Sequence, residues 1–99
     1  MIVDTDGMGF VHPYVFEENV ESNLSAAFGN FESTRRKIVG SVVLHLSHFM
    51  ELSYRKNLLY EISPGNFELY GAKVLVTTKS EAINKIVLGA REEVVGAVV

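Results

Sequence analysis

Two histidines, His45 and His48, stand three positions apart and are the residues best suited by type to hold a metal ion. On a helix, residues three apart lie on one face, so this spacing could form half of a metal site. On a strand the two side chains point to opposite faces and cannot chelate together. His12 could join them only through a tertiary contact. Whether a metal centre can form therefore depends on the secondary structure of this segment.

Five basic residues form the second candidate site. Arg35, Arg36 and Lys37 are consecutive, and Arg55 and Lys56 could join them if both segments reach the same end of the molecule. Adjacent cations can neutralise phosphates, with an affinity that falls steeply as salt rises. Nucleic-acid binding by these five residues is one hypothesis, and several aromatic side chains could stack bases beside them. Pairing with the acidic first part of the chain is the alternative that the charge distribution favours.

Two binding motifs fail on close inspection. Residues 4–9, DTDGMG, resemble the start of a calcium loop. With Gly7 as the turning glycine, however, the first and twelfth positions fall on Ile2 and Pro13, which lack a side-chain oxygen. A dinucleotide-binding fingerprint would need a third glycine where His12 stands. No cofactor or metal is therefore expected.

Catalytic motifs fail as well. Ser41 follows a glycine, but Val43 occupies the place of the second glycine of a nucleophile elbow. The pairs Glu17-Glu18 and Glu92-Glu93 are adjacent in sequence and do not converge on one substrate atom. The chain has no cysteine, which excludes a thiol nucleophile and a disulfide framework. We expect a protein that is not an enzyme.

Composition and charge describe a single folded domain spanning residues 1–99. Hydrophobic residues make up 47% of the chain and charged residues 21%, which is typical of a globular protein. The net charge of −3 hides an asymmetry, because residues 1–32 are acidic and contain no Lys or Arg. All nine basic residues follow in residues 33–91. This arrangement suits internal ion pairing better than a polyanion-binding protein.

Localisation is expected to be intracellular, in the cytoplasm or in a host cell. No apolar run reaches the roughly 18 residues that span a bilayer, and the first residues lack the basic start of a signal peptide. Short chains without motifs are common in viral and plasmid genomes, which makes such a source a hypothesis. The absence of Gln and Cys adds a hint of thermostability.

The segment from Ile38 to Ile62 alternates between apolar and polar residues. Ten of its thirteen even positions are apolar, against four of the twelve odd positions from Val39 to Glu61. A period of two predicts strands with one buried face. A helical stripe is the competing interpretation, but it leaves Leu44 and Leu52 outside the stripe. Strands are favoured, which would send His45 and His48 to opposite faces. Tyr54 and Tyr60, at even positions, are then expected in the core.

This segment is too long for one strand and must fold back. We expect a turn at residues 54–57, a bend near Gly40 or His48, and a second turn at residues 63–66, SPGN. Residues 67–78 then supply a further strand. Residues 10–16 are predicted to form a short edge strand, because Pro13 cannot donate to a ladder.

Two helices flank the predicted meander. Residues 17–28 place Val20, Leu24, Ala27 and Phe28 on one face, with a stop at Gly29. Residues 78–81, TKSE, match a capping box and predict a second helix as far as about Arg91. Residues 92–99 are open to interpretation as helix, strand or tail.

The predicted fold is thus α+β: an antiparallel meander of about three to five strands with two helices, in the order β-α-β-β-β-α with an optional last strand. This order is similar to that of the double-stranded-RNA-binding domain and of ribosome hibernation factors. The resemblance rests on topology alone and implies a shared fold class, not a function. Those families carry many basic side chains on their helices, whereas the first helix predicted here has none.

Assembly is the remaining expectation. A small sheet exposes the unpaired backbone groups of its edge strands, and proteins cover such edges. We expect a homodimer formed through a sheet edge, by sheet packing, or through the apolar tail 94–99. The function predicted is a non-catalytic binding, regulatory or structural role, and nucleic-acid or ribosome binding is the alternative.

Overall fold

A computed structural model describes residues 9–54 and 59–90 of the chain. The two helices are α1 (Val20–Arg35) and α2 (Leu46–Ser53). The strands are β1 (Phe10–Pro13), β2 (Val39–His45), β3 (Leu59–Ser63), β4 (Asn66–Leu69), β5 (Ala72–Thr77) and β6 (Lys85–Ala90), and a 3₁₀ helix spans Ser80–Asn84.

The six described strands form one mixed sheet in the order β1-β6-β2-β5-β4-β3. β2 and β5 run parallel, and every other neighbouring pair is antiparallel. The α+β class is therefore confirmed. The predicted meander is matched only in part, because β3, β4 and β5 form a meander whereas β2, its expected first arm, runs parallel to β5 and does not pair with β3. The predicted order is wrong in two places, because α2 lies between β2 and β3 and the last described element is a strand. The topology behind the resemblance to RNA-binding and ribosome-associated folds is thereby lost.

Helix α1 confirms the first helix but has different bounds. It begins after Asn19, whose side-chain oxygen accepts the backbone N–H of Ser22 at 2.8 Å. It continues through Gly29 and Asn30 to Arg35, so the stop predicted there is wrong. Phe31 extends the buried stripe. The four apolar residues predicted to face the core (Val20, Leu24, Ala27 and Phe28) are all buried.

Helix α2 overturns the prediction of continuous strands. In a sequence that alternates between apolar and polar residues, positions four apart have the same character. Residues four apart also lie on one face of a helix, so alternation is compatible with a helix as well. Leu52 and His48 form the buried face of α2, while Leu46 and Met50 form an exposed one. The alternating pattern thus contains two helical stripes on opposite sides. The prediction that Tyr54 belongs to the core is wrong too, since it is 81% exposed.

The second predicted helix is replaced by the 3₁₀ helix and β6. The position before the 3₁₀ helix is Lys79, which makes no side-chain capping bond, so the capping box does not form. Ile86, Val87 and Leu88 are all buried in an interior strand of the sheet, between β1 and β2. A continuous apolar run of this kind carries no periodicity that separates strand from helix.

The turns are better predicted than the elements between them. Residues 63–66 join β3 to β4, and Gly65 has a φ of +80°. The register shifts between Val39 and Ser41, which confirms a bend at Gly40. The strand predicted over residues 67–78 is divided into β4 and β5 by Tyr70 and Gly71. Both have positive φ, as a tight hairpin with a right-handed twist requires. Residues 55–57 of the other predicted turn lie outside the described residues.

The two helices pack on the same face of the sheet. Their buried residues form one core with Val42, Leu44, Val74, Ile86 and Leu88 of the central strands. The alternate strand residues define the opposite side, called the open face below. It carries Val11, Ser41, Val43, Tyr60, Glu68, Lys73, Leu75, Lys85 and Val87. None of the described helices is long and apolar enough to cross a membrane.

Candidate functional site

The basic residues Arg35, Arg36 and Lys37 lie exposed at the carboxyl end of α1. Arg35 ends the helix, and its guanidinium carbon is 5.4 Å from the ring centre of Phe10 in β1. Arg36 has a φ of 54° and donates its backbone N–H to the carbonyl of Glu32 at 3.0 Å. Positive charge at a helix C-terminus is favourable, because the carbonyl ends of the peptide dipoles point there. The position of these cations at the end of α1 is thus electrostatically favourable.

Arg55 and Lys56 lie outside the described residues. Their approach to Arg35, Arg36 and Lys37 stays a prediction, as does phosphate binding by the five residues together. Tyr60, one of the aromatic side chains that could stack bases, lies in β3 and is 68% exposed. Its expected place in the core is therefore wrong.

His45 and His48 lie at the junction of β2 and α2. The Nδ1 atom of His45 accepts the backbone N–H of Ser47 at 3.1 Å and so caps α2. His48 is buried, and its Nε2 atom donates to the carbonyl oxygen of Ile83 at 2.7 Å. The two ring centres are 6.2 Å apart. Their predicted separation on opposite faces of one strand was wrong, because the strand ends at His45.

Both imidazoles thus serve the fold. His12, the third histidine, has its Nδ1 atom 3.4 Å from the side-chain amide nitrogen of Asn30 on α1. Within residues 9–54 and 59–90, no group of three or more His, Asp or Glu side chains is placed to hold a metal ion.

Asn23 is a buried polar residue that the sequence interpretation missed. It is 2% exposed and holds the loop between β1 and α1. Its side-chain oxygen accepts the N–H of Val15 at 2.7 Å, and its amide nitrogen donates to the carbonyls of Val15 and Asn19, both at 2.9 Å. The sequence did indicate its burial, because Asn23 falls within the apolar stripe of α1, between Val20 and Leu24.

Tyr14 closes the same loop over the start of α2. Its ring stacks on that of His48 with the centres 3.7 Å apart, and its backbone N–H donates to the carbonyl of Asn84 at 2.9 Å. Burial raises the pKa of the Tyr14 phenol above its ordinary value, and the nearby carboxylate of Glu51 raises it further. The pKa of Tyr70 is raised in the same way by burial and by Glu21.

The edge of the sheet at β1 is protected by several contacts. β1 has four residues and ends in Pro13, which has no backbone N–H to offer a partner strand. Phe10 packs edge-on against Phe31 of α1 with ring centres 5.5 Å apart, beneath the guanidinium of Arg35. The loop that follows β1 is fixed by Asn23. A further strand would find a short and partly blocked edge there.

The opposite edge at β3 has none of these features. Among the residues that the structure describes, β3 pairs only with β4. Its five residues, LYEIS, contain neither Pro nor Lys, and Tyr60 and Ile62 are 68% and 55% exposed. Two side chains of β3 accept hydrogen bonds within its own hairpin: the Glu61 carboxylate accepts the Gly65 N–H, and the Ser63 hydroxyl oxygen accepts the side-chain amide of Asn66. An exposed strand with apolar side chains is a template for pairing with another strand.

Comparison with protein families, curated proteins and solved structures finds no match for this chain. The most distinctive feature of the described surface is the contrast between the two edges of the sheet.

Proposed function

We propose that this protein acts without catalysis, as a homodimeric binding or structural module whose two copies join through β3. The observation that carries the proposal is the β3 edge, with its outer side unpaired among the described residues and Tyr60 and Ile62 exposed. Pairing with a second β3 would satisfy the outward N–H and C=O groups of both strands. It would join two six-stranded sheets into one.

A two-fold axis gives β3 a self-complementary register. In an antiparallel pair centred on Glu61, Tyr60 of one copy lies opposite Ile62 of the other, and the pair occurs twice. Aromatic and β-branched side chains opposite one another stabilise a sheet by about 0.2–1 kcal/mol per pair. The same register places the two Glu61 side chains opposite each other, which opposes association. Two favourable pairs of Tyr60 with Ile62, opposed by one like-charge pair, suit a reversible dimer.

The proposal is tested by the molar mass of two matched variants in light scattering. Ile62→Lys places a cation on the β3 edge, and Val11→Lys places one on the β1 edge. The replaced side chains are similarly exposed, at 55% and 52%. At tens of micromolar we expect the native protein and V11K to have twice the mass of the chain, and I62K to have the mass of one chain.

Two results would contradict the β3 dimer. A native protein that scatters as one chain would exclude self-association at that concentration. If V11K dissociates and I62K does not, the interface lies at the β1 edge instead. Retained far-ultraviolet circular dichroism in both variants serves as the control for folding.

Polyanion binding is the second candidate function. The observation in its favour is that Arg35, Arg36 and Lys37 are all exposed at one helix end. A gel shift with nucleic acid that weakens as salt rises and is lost in the R35A/R36A double variant would support it. Binding that the double variant retains would exclude this cluster as the site.

A further inference from the structure

An exposed apolar patch lies where the loop between β1 and α1 meets α2. We call it the α2 patch and define it by Phe16 of the loop and by Leu46 and Met50 of the helix. Their side chains are 56%, 40% and 52% exposed. The Phe16 ring lies 6.1 Å from the ring of His48, which stands between Leu46 and Met50 in the helix. The loop and α2 therefore contribute neighbouring apolar side chains to the surface.

Helix α2 has a buried side and an outward side that is also apolar. His48 and Leu52 form the buried side, while Leu46 and Met50, four residues apart, are exposed. Tyr54 follows at the next fourth position and is 81% exposed. A helix that is covered on one side only is normally polar on the other. The outward row from Leu46 to Tyr54 is about 12 Å long, which is a little over two helical turns.

The loop holds Phe16 in a fixed position. The neighbouring Val15 is bound on both its N–H and its carbonyl by the buried side chain of Asn23, at 2.7 and 2.9 Å. The Phe16 ring also packs against that of Tyr14, with the centres 5.2 Å apart. An apolar side chain that is already ordered loses little conformational freedom when a partner covers it.

The border of the α2 patch is acidic. Glu17 and Glu18 come directly after Phe16, and Glu51 lies on α2, with all three side chains exposed. The sequence has no Lys or Arg from residue 9 to residue 34, and α2 contains none. A partner that places apolar side chains on the patch would therefore gain from cationic side chains around them.

The basic residues of the same chain do not neutralise this border from the described positions. Arg35, Arg36 and Lys37 lie at the opposite end of α1, which is about 22 Å long. At that distance charges in water are largely screened at physiological salt. Arg55 and Lys56 lie outside the described residues. The acidic border is thus available to charges on another molecule.

We infer that the α2 patch binds an amphipathic helix of another protein, with Lys or Arg side chains on either side of its apolar face. Side chains four apart on α2 form a ridge that fits between the ridges of a second helix. Recognition of an amphipathic helix through a few apolar anchors is a recurrent mode of binding. Methionine suits such a surface, because its unbranched side chain adapts to the shape of a partner.

Charge argues against a second copy of this chain as the occupant. A two-fold contact between two α2 helices would bring the acidic borders of both copies together, and like charges across an interface oppose association. The α2 patch also shares no residue with the β3 edge, so the inference does not rest on the proposed dimer.

Three labelled peptides of about 18 residues, long enough to form a helix, test the inference by fluorescence anisotropy. The first has Leu at helical spacing on one face and Lys elsewhere. The second has Glu in place of every Lys, and the third has the composition of the first in an order without an apolar face. The first peptide should bind the native protein saturably, and the other two at least about tenfold more weakly. In methyl spectra, Leu46 and Met50 should shift on binding, while Ile62 of β3 should not.

Two matched variants locate the binding surface. Met50→Lys places a cation in the α2 patch, and Val11→Lys places one on the β1 edge, where the replaced side chain is 52% exposed in both cases. We expect M50K to bind the first peptide at least about tenfold more weakly and V11K to bind it as the native protein does. The I62K variant should also bind normally, whether or not the β3 dimer exists. Retained far-ultraviolet circular dichroism is the control for folding.

The acidic border is tested by the double variant E17Q/E18Q. It should bind the first peptide about threefold more weakly at low salt, and the difference from the native protein should disappear at high salt. Equal binding of the double variant and the native protein at low salt would remove the argument from charge and overturn the cationic partner.

Other outcomes would overturn the inference as a whole. These are a native protein that does not bind the first peptide, one that binds the Glu peptide as tightly, and an M50K variant with native affinity. If M50K instead has half the molar mass of the native protein in light scattering, a second copy covers the α2 patch, and the inference is contradicted.

Discussion

The two edge strands of this sheet differ in how far they are protected from pairing with a further strand. β1 is four residues long, ends in Pro13 and is held against α1 by Phe10. β3 is five residues long, lacks Pro and Lys, and leaves Tyr60 and Ile62 exposed. Edge strands that must stay single are normally blocked in some way. The difference shows that β1 is protected within one chain, and the exposed β3 edge is the observation behind the proposed pairing with a second copy.

The largest expected effect is on stability, at Asn23, which holds the loop that follows β1. Asn23→Ala removes the partner of both the N–H and the carbonyl of Val15, and each unsatisfied buried group costs about 1–3 kcal/mol. We expect the free energy of unfolding in urea to fall by about 3 kcal/mol. Asn30→Ala on the exposed side of α1 is the control, with a change of about 0.5 kcal/mol or less. Equal losses in the two variants would show that Asn23 does not hold the β1 loop.

A smaller effect is expected at the centre of the β3 edge. If the two Glu61 side chains face each other across the dimer axis, Glu61→Gln removes a like-charge pair and keeps the oxygen that accepts the Gly65 N–H. We expect the dissociation constant to fall by about twofold, from a gain of about 0.5 kcal/mol. Glu81→Gln removes the same charge far from β3 and should change nothing. A weaker E61Q dimer would reject the register centred on Glu61.

The smallest effect concerns the phenol beside the β1 edge. Burial and then Glu51 raise the pKa of Tyr14 in the folded chain above the value of 10.0 that it has when unfolded. Above pH 10 the unfolded chain releases this proton while the folded chain retains it, so the free energy of unfolding decreases as pH rises. Tyr14→Phe should make that decrease shallower, as measured by urea unfolding between pH 8 and about 11. An unchanged slope would mean that Tyr14 ionises equally in both states.

The sequence was most informative where a signal is local. The Ser63–Asn66 turn and the apolar stripe of α1 follow from residues a few positions apart, and both were predicted correctly. α2 and β6 were not, for two physical reasons. Alternation over eight residues fits two helical stripes as well as one strand, and an apolar run in a central strand has no period at all.

The candidate surface was predictable only in part. A dimer through a sheet edge was expected, but the sequence does not reveal which strand is outermost, because strand order depends on contacts distant in sequence. Tyr60 illustrates the point, since its place in an alternating segment predicted burial and the structure leaves it on the open face of an edge strand. Asn23 could have been identified from its position within the stripe of α1.

Hydrogen exchange of the two edge strands at low and high protein concentration tests the central claim most directly. Pairing through β3 predicts that the outward amides of Leu59–Ser63 exchange more slowly as concentration rises, while those of Phe10–Pro13 exchange at an unchanged rate. If β3 exchanges equally fast at both concentrations, or if β1 alone is slowed, the proposed interface is contradicted.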